Sequence, residues 1–352
     1  MDPQERLSKS VSVVAERVEK VSAEVMRALS TAIDVSAFAQ SDARWISTGA
    51  GASEGPARLL ATLLRGRGLV ADFVPISIFI DDAPPADVCV VVSQRLSPNA
   101  RMPLARASAY RHMLLVTTLD DAQAFPSLGR REASHVRLVK HGPRDEAGLL
   151  LRLIGPAAAT ATILRLAADL EGFPSLRRRE AALLDPSTID AVENALATAR
   201  ARAEAAMVGI NPSHLFDVVG LVGVGADVSL CEGLRHKLLE GLGRTHPPLW
   251  DLCAVVHGPL QSFYERLATL VLFERDGARA VGLASELGRV LDPARHRLVR
   301  LRSALPGPLA LLDFDLQLDH LVLAALRARP RDLFEWPGKG RDAPLYDLGK
   351  EL

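Results

Sequence analysis

The chain has little of what marks secreted, membrane or nucleic-acid-binding proteins. Only three cysteines occur, Cys89, Cys231 and Cys253, and none forms a C-x-x-C pair. This excludes a disulfide framework or a zinc ribbon and predicts buried thiols in a reducing cytoplasm. Lys+Arg and Asp+Glu both number 42, so there is no net field to hold nucleic acid or an anionic membrane. Two stretches, Arg177-Arg178-Arg179 and Arg295 to Arg302, are locally basic. They read as solvated helix faces, with a local basic groove as the alternative. The longest apolar stretch, Leu149 to Leu170, is interrupted by Arg152, Gly155-Pro156 and Arg165, which leaves it too broken to span a bilayer. The opening Met1-Asp2-Pro3-Gln4-Glu5-Arg6 carries acids and no apolar core, so no signal peptide is expected.

What is present describes an α/β protein. With 352 residues the chain has room for two domains of about 150 residues each. Val11, Val14, Val18, Val21, Val25 and Leu29 recur at spacings of three and four and predict one long amphipathic helix whose apolar stripe must be covered. Short β-branched runs then alternate with helical ones. Arg44 to Ser47, Val70 to Val74, Val88 to Ser93 and His112 to Thr117 read as strands, with helices near Glu54 to Arg65 and Leu104 to Tyr110. A helical connector from Pro186 to Met207 precedes a second cycle: a strand from Phe216 to Val222, a helix from Leu230 to Leu242, segments at Trp250 to Val256 and Ala268 to Phe273, and a late helix from Leu316 to Leu326. This order predicts parallel, doubly wound sheets. The tail from Pro330 contains Trp336-Pro337-Gly338-Lys339-Gly340-Arg341, which reads as loop.

The chemistry concentrates at two glycine turns. Thr48-Gly49-Ala50-Gly51-Ala52-Ser53 follows the first strand, and Gly223-Val224-Gly225 follows the strand that opens the second cycle. A Gly-x-Gly turn at a helix start lets backbone N–H groups approach an anion. Downstream of the second turn lie Glu240 and His257-Gly258-Pro259, a carboxylate and an imidazole able to move protons. The chain looks internally doubled.

These residues resemble the sugar isomerase (SIS) domain family, in the tandem arrangement of the isomerase half of glucosamine-6-phosphate synthase, over roughly residues 40 to 330. Gly51-Ala52-Ser53 is similar to the family's Gly-Thr-Ser turn, and Ser93-Gln94 to the start of its Ser-Gln-Ser-Gly-x-Thr phosphate loop. Gly223-Val224-Gly225 resembles its Gly-Arg-Gly turn. The stretch Cys231-Glu232-Gly233-Leu234-Arg235-His236-Lys237-Leu238-Leu239-Glu240 resembles its Leu-Glu-Gly-Ala-Leu-Lys-Leu-Lys-Glu helix, and His257-Gly258-Pro259-Leu260 its His-Gly-Pro-Leu. The resemblance implies two doubly wound parallel-sheet, flavodoxin-like domains in tandem: an N-terminal helix over 1–40, a first domain over 41–185, a connecting helix over 186–207, a second domain over 208–329 and a tail over 330–352 that completes the site.

The resemblance further implies a sugar, sugar-phosphate or amino-sugar isomerase or deaminase needing no cofactor or metal. Glu240 would shuttle the proton, and His257 would open the ring in the site of the neighbouring subunit of a homodimer. Lys237 falls on a family lysine, and Lys339 lies near where the family places a tail lysine that forms a Schiff base. Gly49, Gly51, Ser53, Ser93, Gln94, Arg95, Ser97, Gly223, Gly225 and Glu232 would line the ligand site. The alternative is a non-catalytic binding or regulatory protein for a sugar-like anion.

The phosphate loop departs from the family. Arg95-Leu96-Ser97-Pro98-Asn99 stands where Ser-Gly-x-Thr is expected, so two hydroxyl donors and a glycine are missing. Arg95 offers a guanidinium fork in exchange. Pro98 lacks an N–H and leucine resists positive φ, so the same backbone cradle is not expected. Simpler roles stand beside these. Glu232, His236 and Glu240 would face outward from a helix whose apolar stripe is Leu230, Leu234, Leu238 and Leu242, and Ser53 and Ser93 would cap helices. Glu232 and His236 are four apart, but no third metal ligand stands at a familiar spacing.

Overall fold

The computed structural model describes residues 2–38, 43–120, 136–142, 146, 148–171, 182–224, 228, 231–243 and 246–350. The chain divides into two compact units, one of Ala23–Ala147, Ile154–Ile189 and Pro337–Leu352, the other of Met1–Ser22, Gly148–Leu153 and Asp190–Trp336. The first helix, α1 (Pro3–Ser30), contributes to both, with Glu5 in its first turn and Arg27 in its last opposing the macrodipole. Its stripe is buried as the spacing predicts: Val14, Val18, Val21, Val25 and Leu29 are all at most 2% exposed.

The unit that begins at Ala23 is built on β1 (Arg44–Gly49), α2 (Glu54–Arg65), β2 (Val70–Phe73), β3 (Val88–Val92), β4 (His112–Thr117), β5 (Val136–Lys140) and α3 (Ile154–Glu171). The strands form one parallel sheet in the order β2-β1-β3-β4-β5. Alternate strand residues Cys89, Val91, Met113 and Leu115 join Phe79, Leu96, Met102 and Leu104 in one apolar core. Helix α3 starts at Ile154-Gly155-Pro156, where proline is tolerated because its missing N–H would find no partner inside the helix. This is the broken apolar stretch of the sequence, and no helix among the described residues is long and apolar enough to cross a membrane.

The other unit contains most of α4 (Pro186–Ala206), then β6 (Val218–Gly223), α5 (Arg235–Leu242), β7 (Leu249–Asp251), β8 (Ala268–Arg275), α6 (Ala278–Val290), β9 (His296–Ser303) and α7 (Ala310–Ala328). Its parallel sheet has the order β7-β6-β8-β9, which repeats the order of the first four strands of the other sheet.

Two expectations need correction. Leu104–Ala109 is a 3-10 helix rather than an α-helix, because Pro98 and Pro103 punctuate the crossover before an α-helical run can form. Arg295 to Arg302 is not a helix face: Arg297, Arg300 and Arg302 belong to β9, an edge strand that tolerates charge because one side of its ladder is open. The loop expected at 336–341 is present, and two short helical turns, Ala343–Tyr346 and Leu348–Lys350, follow it. Arg177-Arg178-Arg179 lies outside the described residues.

Candidate functional site

Ligands of parallel α/β sheets gather outside the carboxyl ends of the strands where the strand order reverses. In the β2-β1-β3-β4-β5 sheet that point lies between β1 and β3, where Gly49 pairs with Val92. A Cβ on Gly49 would lie 2.6 Å from the Ser53 carbonyl oxygen and 3.2 Å from that of Val92, so only glycine fits. Gly51 has φ +59 and open space where a side chain would stand, which leaves the turn accessible. Ser53 makes no side-chain cap on α2, so its hydroxyl is not spent on capping.

The strand end of β3 completes this place. Ser93 is buried and its N–H donates to the Val116 carbonyl at 3.0 Å. The Gln94 carbonyl accepts from the Thr117 hydroxyl at 3.2 Å and the Thr118 hydroxyl at 2.6 Å, and the Gln94 side-chain amide donates to Glu146 Oε2 at 2.9 Å. Arg95 is exposed and has no hydrogen-bond or ion-pair partner among the described residues.

Leu96 corrects the sequence reading: it does adopt the left-handed conformation, with φ 51, and is the one non-glycine residue described with positive φ. That conformation costs roughly 1–2 kcal/mol, offset here by burial of its side chain in the apolar core. Ser97 precedes the 3-10 turn Pro98–Arg101 and does not cap it. No α-helix follows β3 before β4, so this loop has no long helix dipole to aim at an anion, and Ser93 has no α-helix to cap. The tail packs here as well. Asn99 Nδ2 donates to the Leu345 carbonyl at 2.9 Å, and the Pro98 carbonyl leaves no room for a Cβ on Gly349. Lys339 is exposed between Gly338 and Gly340, both at positive φ.

The sequence reading missed two buried groups beside this strand edge. Glu146 is fully buried and accepts the N–H groups of Ile154 at 2.9 Å and Gly155 at 2.6 Å, placing a carboxylate on the start of α3. Gly155 must be glycine because the Gln94 amide fills the place of a Cβ. His141, just past β5, is 1% exposed, and neither ring nitrogen has a hydrogen-bond partner.

Burial, and secondarily the charge of Arg27, push the His141 pKa down to about 3. The folded protein therefore keeps this ring neutral while the unfolded chain, with an ordinary value near 6.5, takes up a proton. Stability is complete above about pH 6.5 and falls by roughly 1.4 kcal/mol per pH unit as pH drops toward 3. Denaturant titrations at about pH 5.5 and 4.5 should show this slope. His141→Phe should flatten it, and an equal slope in that variant would assign the acid sensitivity to other groups.

In the other unit the order β7-β6-β8-β9 puts the reversal between β6 and β8. Gly223 closes β6, with a Cβ position only 3.2 Å from Val228 Cγ2; Gly225 lies outside the described residues. The helix that follows starts as a 3-10 turn, Cys231–Leu234, continues as α5 and stops at Gly243 with φ +59. Leu234, Leu238 and Leu242 are its buried stripe. Glu232 pairs with Arg235, and the His236 ring faces His246 at 4.7 Å between centroids, so neither points to a shared metal.

Lys237 is 3% exposed and lies between Asp315, at 2.9 Å, and Asp319 of α7. Burial alone would lower its pKa, but the two carboxylates outweigh it and the ammonium is held above its ordinary value. Its ammonium is committed to these two carboxylates. Glu240 is half-buried and accepts the Arg152 N–H at 3.1 Å. His257 is exposed, in the turn before Gly258, whose φ of 124 only glycine adopts freely. One signal in the sequence pointed to the Lys237 network: Asp313, Asp315 and Asp319 interrupt an otherwise apolar helix. Glu146 has no such signature.

No protein-family model and no curated protein sequence matches this chain. Solved structures do. The C-terminal domain of glucosamine-fructose-6-phosphate aminotransferase from Francisella tularensis superposes with a TM-score of 0.63 at 13% identity, over 90% of this chain and 95% of that one. Glucosamine-6-phosphate deaminase from Thermotoga maritima gives 0.61 at 9% identity, over 91% and 96%. Tagatose-6-phosphate ketose/aldose isomerase from Escherichia coli gives 0.59 at 13% identity, over 92% and 95%. At these identities the similarity concerns architecture alone: this chain shares the α/β fold of these proteins.

Proposed function

We propose that the protein binds a sugar-like anion at the carboxyl ends of β1 and β3, gripped by Arg95, and that it acts as a ligand-responsive binding protein rather than a sugar-phosphate isomerase. Arg95 carries this reading: an exposed guanidinium without a partner among the described residues follows the end of β3, the strand paired with the one that leads into the open Gly51 turn. Part of the donor set at this strand end is meanwhile spent inside the protein: the Ser93 N–H serves Val116 and the Gln94 side-chain amide serves Glu146, while Pro98 has no N–H to offer. A single fork favours a planar carboxylate or a phosphate held from one side. Ser53 and Ser97, on the loops after β1 and β3 and not spent on capping, supply hydroxyls for a polyol.

Titration calorimetry with sugar acids and sugar phosphates tests this. Arg95→Ala should weaken binding by about ten- to a hundredfold, the loss of about 1.5–3 kcal/mol in charge-assisted hydrogen bonding. Unchanged affinity in that variant would remove Arg95 from the site.

A second reading, an isomerase or deaminase, is favoured by Glu240. An accepted backbone N–H stabilises the ionised carboxylate that a proton-shuttling base requires. Incubation in D₂O with candidate ketoses and sugar phosphates separates the readings. Carbon-two exchange that disappears in Glu240→Gln establishes the enzyme, whereas saturable binding with no exchange supports the binder. Val256, Tyr264 and Leu267, exposed apolar side chains close in sequence to His257, support a homodimer in which that turn meets a second copy.

A further inference from the structure

Among the described residues, the arginines of β9 are the one basic run that neither reading absorbs. In the unit with the β7-β6-β8-β9 sheet, a cavity of about 300 Å³ is lined by Arg202, Ala206, Leu298, Arg300, Arg302 and Gln317, among others. Each guanidinium is held from behind by a buried acid or a carbonyl. Arg300 makes two hydrogen bonds to Glu274, both 2.9 Å, and Arg302 lies 3.5 Å from the same carboxylate. Arg202 pairs with Asp313 and donates to the Ala195 carbonyl at 2.6 Å. Glu274 is 1% exposed and Asp313 0%, while the three arginine side chains remain 26–50% exposed. The acids are inside and the cations face outward, with three positive charges against two negative ones.

Five N–H donors per guanidinium exceed what these acids accept, so each arginine keeps donors for a ligand. Gln317 adds an independent observation. It is 0% exposed, and its amide nitrogen is spent on the Arg302 carbonyl and Asp313 Oδ1, both at 2.8 Å. Its carbonyl oxygen has no partner. That pattern fixes the amide orientation and leaves a buried acceptor on the wall of a basic cavity. Edge-strand protection explains charge on β9. It does not explain a concave arrangement of three oriented guanidiniums around an unspent acceptor.

We infer that this cavity binds a small hydroxylated anion, its charge taken by Arg202, Arg300 and Arg302 and a ligand O–H or N–H taken by the Gln317 carbonyl. The shared chemistry is a phosphate or carboxylate with a neighbouring donor. The site is separate from the Arg95 site, and neither depends on the other.

The test uses the full chain, with inorganic phosphate, glucose 6-phosphate and malate as calorimetric probes. Arg302→Gln removes the most exposed guanidinium and leaves Glu274 paired with Arg300. Ala206→Leu fills the cavity from α4 without changing charge. Measured in the Arg95→Ala background, which silences the other site, at least one probe should bind with one-site saturation, and each cavity variant should weaken it by about tenfold or more. Preference for the phosphates over malate assigns a phosphate ester, and the reverse assigns a hydroxy acid. Absence of saturable binding by all three probes, or unchanged affinity in either cavity variant, overturns the site.

Discussion

Lys237→Met should cost about 3–5 kcal/mol of stability and lower the thermal midpoint by on the order of 10 °C, because it strands two buried carboxylates without their cation. Asp319 is fully buried and Asp315 nearly so, and both lie within reach of the Lys237 ammonium. The outcome matters for function because a catalytic lysine and a structural one behave oppositely. Loss of a catalytic group leaves the fold intact and removes turnover, whereas loss of this cation should unfold the region around α5 and α7 before any activity is assayed. The triple replacement Lys237→Met, Asp315→Leu, Asp319→Leu supplies the control. Apolar groups of similar volume commonly restore or exceed the stability of a buried ion network. Chemical denaturation of the single and triple variants decides the matter, and a Lys237→Met protein as stable as the parent would refute the structural role.

Glu146→Ala is expected to be nearly as severe, at about 4 kcal/mol. Three donors lose their partner at once: the Ile154 and Gly155 N–H groups at the start of α3 and the Gln94 amide. Glu146→Gln keeps the shape but loses the charge, and should recover part of the deficit. Added acetate should do the same for the alanine variant, since a free carboxylate can occupy the vacated position at the helix start. Stability within 1 kcal/mol of the parent in Glu146→Ala, measured by urea unfolding, would mean that water satisfies those donors equally well.

The fold was legible because it rests on periodicity. Val14 to Leu29, the β-branched runs of β1, β3 and β4, and the helix from Glu54 to Arg65 each announce their geometry through local spacing. What escaped were elements whose local signal conflicts with their context. β9 was obscured by Arg297, Arg300 and Arg302, which an edge strand accepts and an interior strand would not. The crossover after β3 carried helical composition but was divided by prolines. The candidate site divides the same way. Gly49 and Gly51 were readable as a turn, because glycine at such positions has a backbone cause. Glu146 and His141 were not, since their roles come from tertiary neighbours that no sequence spacing encodes; the partners of Lys237 were signalled only as aspartates within a largely apolar helix.

Leu96 carries a side chain on a backbone contour that glycine adopts without cost, at φ 51. Leu96→Gly would therefore keep the path of this loop and relieve its left-handed conformation while removing one apolar group from the core, so the loop can exchange its chemistry with β3 and β4 left as they are.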